Sequence, residues 1–277
     1  MMMMSIRQLT IGLYCAAALL LVPGAARAQY TATPFSDPAT GERYHIEASF
    51  GWWTPSPDFQ IASESLGVLG TVIDAIDDLG IEQKTIPEFR IVLRPGRKHK
   101  FRVDYLPMSY SATSTVHREF IFNGIKYNVN LPVSTELSWK TWHLGYEYDF
   151  VYTDRGFVGV VLQAKATDIQ ASIEASALGR EFARAQAPLP AIGGIGRIYV
   201  VPNISITGQL DFLKIPEAID ERYQAHYWDF DLYGTVNFND YVGAQIGYRS
   251  LDLGYVFEND HGDFKAKGIY FGGVVRY

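Results

Sequence analysis

The last eleven residues, Lys267 to Tyr277 (KGIYFGGVVRY), constrain this chain more than any other stretch. Read as a strand, Ile269, Phe271, Gly273, Val275 and Tyr277 point one way, and Gly268, Tyr270, Gly272, Val274 and Arg276 point the other. One face is largely apolar and the other carries an arginine, and the strand's edge is expected to lie uncovered after Tyr277. In water, an uncovered edge strand is a template for aggregation. A closed barrel has no such edge, because its last strand pairs with its first.

This ending resembles the C-terminal signal of bacterial outer-membrane barrel proteins. The shared features are the final aromatic (Tyr277), an alternating apolar residue before it (Val275) and a nearby glycine (Gly272); Tyr270 stands where that family prefers a more polar residue. The resemblance implies that the barrel-assembly machinery engages the C-terminal strand through these three residues. The other end agrees. Arg7 precedes an apolar run from about Leu9 to Val22, and Ala26-Arg27-Ala28 is an A-x-A cleavage site, so residues 1–28 read as a secretory signal peptide. The run is shorter than the roughly 20 residues a membrane-spanning helix needs. The one cysteine, Cys15, lies inside it. A mature chain from Gln29 therefore has no disulfide, thiol nucleophile or Cys-metal site.

Composition narrows the class further. Tyr, Phe and Trp make up 14% of the chain and charged residues 19%. A transmembrane barrel needs this balance, because half of each strand meets lipid and half a polar lumen. The formal charge is −6, and losing Arg7 and Arg27 with the signal makes it −8. An acidic total argues against a nucleic-acid partner, whose binding rests on Lys/Arg–phosphate contacts.

About ten strands are expected, near 43–54, 86–94, 99–115, 135–151, 156–171, 191–201, 204–214, 224–238, 241–256 and 263–277. Trp142, Leu144, Tyr146, Tyr148 and Phe150 share one face against His143, Gly145, Glu147 and Asp149. Trp228, Phe230, Leu232, Val236 and Phe238 oppose Asp229, Asp231, Tyr233, Thr235 and Asn237. The aromatic members of both apolar faces are expected to meet lipid. Short turns (Pro95–Lys98, Tyr152–Arg155, Pro202-Asn203, Asn239-Asp240) alternate with longer loops (Pro55–Thr85, Val116–Ser134, Ser172–Pro190, Ile215–Tyr223, Phe257–Gly262). That is the asymmetry of an outer-membrane barrel. Asn123-Gly124 predicts a type I′ hairpin inside the second long loop. Leu66, Leu69, Val72, Ile73, Ile76 and Leu79 recur with a helical period before Gly80, predicting a short helix in the first loop that caps the barrel mouth.

The expected fold is therefore all-β: an antiparallel, up-and-down transmembrane barrel of about ten strands, with eight or twelve as alternatives. The expected organisation is a signal peptide (1–28), a short periplasmic tail (29–42) and the barrel (43–277). The architecture is similar to OmpA- and OmpW-type barrels. By alternation its inward faces carry Glu47, Glu88, Arg90, Arg94, Arg102, Asp104, Glu147, Asp149, Lys165, Arg197, Asp211, Asp229, Asp231, Arg249 and Arg276. So near-balanced a set suits a salt-bridged network filling a narrow lumen, with a narrow ion-lined pore as the other reading, since ten strands lie near the filled end of the barrel range.

Barrel enzymes fit the residues less well. The chain has no Asp-x-His of the omptin proteases and no His-x-Ser of lipid A deacylases; Asp229-Phe230-Asp231 alone is similar to half of the omptin site. His226 falls on the outward face, and inward His143 is expected near Glu147. The acidic turn Glu258–Asp263 lacks the spacing of a calcium loop. The expectation is a non-enzymatic outer-membrane barrel without cofactor or metal, its partners outer-membrane lipid and lipopolysaccharide, its location the cell outer membrane.

Overall fold

In the computed structural model, which describes residues 39–62, 70–176, 178–215, 223–257 and 260–277, the alternating segments form one continuous antiparallel wall. The chain runs β1 (Ile46–Ala62), a two-residue bridge β2 (Ile73–Asp74), β3 (Ile86–Gly96) and β4 (His99–Thr115). A small hairpin follows, β5 (Phe120–Phe122) and β6 (Ile125–Tyr127). Then come β7 (Pro132–Thr153), β8 (Gly156–Ala175), β9 (Gly179–Val201), β10 (Ile204–Ile215), β11 (Tyr223–Asn237), β12 (Val242–Phe257) and β13 (Asp260–Arg276). Ten of these make the wall, each beside its chain neighbour, and β13 pairs with β1 to close it. Cross-strand partners lead from Asp58 through Lys265, Asp252, Trp228, Phe212, Ile192, Leu162, Tyr146, Phe101 and Leu93. The path returns to β1 at Ile46, twelve residues below its start. That stagger over ten strands corresponds to a strand tilt of about 40°.

The apolar face of the strands changes sides part-way up the wall. On β1, Phe50 and Trp52 point outward, whereas beyond them Trp53, Phe59 and Ile61 are buried inside and Thr54, Ser56, Asp58 and Gln60 face out. The same swap separates outward Phe101 from inward Leu106, Met108 and Tyr110 on β4. It separates outward Trp142 from inward Trp139 and Leu137 on β7, and outward Ile269 from inward Ala266 and Phe264 on β13. Strands alternate with period two, so a one-residue change of phase moves the apolar set to the other face. The swap marks the level where the surroundings change from hydrocarbon, which accepts apolar side chains outside, to water, which drives them inside.

Prolines follow the same level. The β9–β10 ladder ends at Ile192–Phe212, the β1–β3 ladder begins at Trp53–Ile86 and the β3–β4 ladder at Phe89–Tyr105, so Pro55, Pro57, Pro107, Pro188 and Pro190 lie where one neighbouring ladder is missing. The missing N–H costs nothing where there is no partner carbonyl.

Several expected loops are therefore strand. β1 continues through Pro55 to Ala62, and β8 and β9 run on as one hairpin until Ala175 faces Gly179, replacing most of the Ser172–Pro190 loop. β12 and β13 pair as far as Phe257–Asp260. The Asn123-Gly124 turn forms as expected, with φ of 49° and 78°. No helix is present among the described residues of the first loop; Ser63 to Leu69 lie outside them. Ile73 and Asp74 instead pair with Ile61 and Gln60 of β1. The Asp74 carboxylate then accepts the Ile76 and Asp77 amides at 2.8 and 3.0 Å, making a single capped turn. Ile73 and Leu79 are buried but Val72 and Ile76 are exposed, which the bridge permits and one amphipathic helix face would not.

Candidate functional site

The lumen is the candidate site. The fifteen charged residues named from alternation are buried or half-buried, and their ion pairs gather them into four groups. At the end with the short turns, Arg276 Nε lies 2.5 Å and Arg197 Nη2 3.5 Å from Glu47. Arg94 and Arg197 both reach Glu42 at 3.4 Å. Next, Glu147 receives Lys100 and Arg102, each at 2.6 Å, and Lys100 also lies 2.9 Å from Asp149. Higher still, Arg90 bridges Asp104 (3.1 Å) and Asp231 (2.8 Å). Lys165 bridges Asp211 (3.3 Å) and Asp229 (3.2 Å), and Arg249 joins Asp229 (2.9 Å) to Glu88 (3.4 Å). Buried charge is tolerated only when paired in this way.

Two members are missing from the set expected on sequence. Lys100 shares the face of Arg102 and Asp104, so alternation alone was signal enough. Glu42 precedes β1, in the stretch expected to be periplasmic tail, and has no strand pattern to betray it. It is nevertheless buried, and the Tyr199 hydroxyl donates to it at 3.1 Å. The His143 expectation is corrected. Its neighbour is Asp104, at 3.8 Å, not Glu147. Asp104 stands directly opposite His143 on β4, whereas four residues along one strand separate side chains by roughly 13 Å.

Above the charges the lumen becomes an apolar core. Phe59 packs against Tyr110, Phe264 and Trp139 with ring centroids 5.4, 5.5 and 6.4 Å apart. Trp53, Leu106, Met108, Leu137, Ile169, Leu251 and Leu253 complete this layer, and Ile73, Leu79, Ile81, Phe120, Phe122 and Tyr127 close it from the loops. The change of strand phase was its signature in the sequence.

The seam explains the ends. Tyr277 exchanges backbone hydrogen bonds with Ile46 at 2.9 Å in both directions, and its carbonyl also accepts the His45 amide at 2.7 Å. Gly272 faces Gly51 across the seam, where a Cβ would meet the Phe50 carbonyl at 2.3 Å. Val275 and the Tyr277 ring point outward and are exposed.

At the opposite rim an open cleft of about 610 Å³ is lined in part by Lys214, Gln224, His226, His261 and Asp263. His226 Nε2 lies 3.2 Å from Asp252, outside the lumen. No serine, threonine or cysteine is among the described residues of its lining. Nearby, Arg184 forks onto Asp168 at 2.9 and 2.6 Å, and its hydrogen bonds hold that carboxyl below the ordinary range.

No protein-family model matches the sequence, and no curated protein matches it. Solved structures do. The outer membrane protease OmpT from Escherichia coli aligns with a TM-score of 0.55 at 10% identity, over 87% of this chain and 99% of that one. The toluene transporter TodX from Pseudomonas putida aligns at 0.36 and 8% identity, over 87% and 92%. Ail, the attachment invasion locus protein of Yersinia pestis, aligns at 0.36 and 7%, over 82% and 99%. The chain thus has the fold of a small bacterial outer-membrane β-barrel. The likeness is one of fold alone.

Proposed function

We propose that this chain is a non-enzymatic barrel of the bacterial outer membrane with a closed lumen, acting through its wall and its long-loop end. The observation that carries the reading is the double filling of the lumen, by four groups of buried ion pairs and by an apolar core stacked on them. A passive pore would need a continuous path past Arg94, Arg102, Glu147 and Arg249, and each of these is buried and engaged in an ion pair. The belt of outward Trp52, Trp142, Trp228, Phe271 and their aliphatic neighbours supports a membrane location. The seam supports a role for Gly272, Val275 and Tyr277 in assembly.

The test is single-channel recording of the refolded protein in planar bilayers. A closed lumen predicts little or no conductance. Large, porin-like steps from the unmodified protein would sink the proposal, because the inward side chains could not then be bridging the interior. The enzyme alternative draws support from one observation, the His226–Asp252 pair beside the rim cleft. Hydrolysis of peptides or lipid esters that is lost in His226→Ala would establish it.

A further inference from the structure

We infer that the short-turn end of the barrel is a carboxylate-binding site, which the chain fills with its own Glu42 on a detachable strap, residues 39–44. The strap precedes β1 and belongs to no ladder, so the wall closes through β1 and β13 without it. It crosses the mouth and ties three turns together. The Thr40 amide donates to the Pro202 carbonyl (2.7 Å) between β9 and β10. At the β11–β12 turn the Asn237 side chain donates to the Thr40 carbonyl (2.7 Å), and the Gly41 amide donates to the Asp240 carboxylate (2.9 Å). Arg94, beside the β3–β4 turn, donates to the Glu42 carbonyl at 2.5 Å. Gly41 takes a φ of 79°, which lets the strap bend there. Tyr44 is buried, with the guanidinium groups of Arg94 and Arg276 over its ring at 5.2 and 5.9 Å.

The site that receives Glu42 is made of donors. Arg94 Nη1 and Arg197 Nη1 each lie 3.4 Å from its carboxylate, and the Tyr199 hydroxyl donates to it at 3.1 Å. Two guanidinium groups and a phenol converging on one point suit a planar anion with two oxygens. These contacts are long. In the wall Arg276 meets Glu47 at 2.5 Å, and Lys100 and Arg102 meet Glu147 at 2.6 Å. Glu42 is thus held more loosely than these two carboxylates, which strands carry. Charge points the same way, because in this group Arg94, Arg197 and Arg276 face Glu42 and Glu47, three cations to two anions. Releasing the strap leaves three cations to one anion, and a carboxylate from solution restores the balance. The strap is therefore a latch. Docked, it braces the mouth; released, it offers the donors to a free carboxylate.

The inference concerns the mouth alone and stands whether or not the lumen conducts. Sodium acetate is the probe, with the refolded barrel in neutral detergent at constant ionic strength. In Glu42→Ala, hydrogen exchange read by mass spectrometry should be about tenfold faster at Thr40 and Gly41, while the β1–β13 ladder stays protected. Acetate should raise the urea midpoint of Glu42→Ala, and sodium chloride should not. The unmodified protein should not respond, because its tethered Glu42 holds the site at a higher effective concentration. Adding Arg197→Met to Glu42→Ala should abolish the acetate effect. Thr40→Pro removes the amide bonded to Pro202 but keeps Glu42, so it should speed exchange at Gly41 to a similar extent. Heat-dependent gel mobility shows which variants are folded barrels. Unchanged exchange at Thr40 and Gly41 in folded Glu42→Ala would overturn the inference, as would an acetate effect no larger than that of chloride. Failure of both Glu42→Ala and Thr40→Pro to form the barrel would overturn it too, since a latch leaves the wall intact.

Discussion

Neutralising Glu147 should damage this barrel more than removing either of its partners. Glu147 is fully buried and each carboxylate oxygen lies 2.6 Å from a cation, Lys100 on one side and Arg102 on the other. In Glu147→Gln, Lys100 keeps Asp149 at 2.9 Å, but Arg102 loses its ion pair and its Nε and Nη2 already make no hydrogen bond. Leaving one buried charge without its partner costs about 3–5 kcal/mol, or roughly two to three and a half powers of ten in the folding equilibrium. Arg102→Ala is the milder change. It leaves Glu147 bound to Lys100 and Asp104 bound to Arg90. Its cost should be nearer 1–2 kcal/mol. The double variant removes the stranded cation and should recover part of the loss, so the two changes should be clearly non-additive. Urea titration of the refolded barrel in lipid vesicles, followed by tryptophan emission and gel mobility, measures all three. A Glu147→Gln loss below about 1 kcal/mol, or strict additivity, would mean that water screens these charges and that the lumen is not dry.

Phe59→Ala removes the centre of the apolar core and should cost about 3–5 kcal/mol by the same titration, while leaving conductance low because the ion pairs beneath remain. Brominated lipid should quench Trp52, Trp142 and Trp228 but spare Trp53 and Trp139, measured in variants that keep one tryptophan at a time; quenching of Trp139 would place the core in lipid. Deleting Tyr277 removes both backbone bonds to Ile46, and the product should accumulate as protease-sensitive periplasmic protein; normal levels in the outer membrane would refute a signalling role for the last strand.

Alternation decides which way a residue points without reference to anything distant. That is why the inward charges, the outward aromatics and most strand limits of β3, β4 and β10 to β13 were legible in the sequence alone. The turn at Asn123-Gly124 was legible for the same reason, since its conformation depends on two adjacent residues. In the described part of the first loop, residues 70–80, the helical period was genuine but Asp74, bridging to β1, offered the backbone other partners. The swap of apolar face between Trp52 and Trp53 was also written in the sequence, but its meaning required knowing that one barrel wall crosses from lipid into water. Pairing across the lumen was decided only by the tertiary structure. Arg90 reaches Asp231 from a non-adjacent strand, and Arg276 meets Glu47 directly across the seam, because closure and the twelve-residue stagger bring them level. Glu42 is drawn in from outside the wall because Arg94 and Arg197 converge there. Such pairings depend on distances through space across a closed cylinder, which no local pattern along the chain encodes.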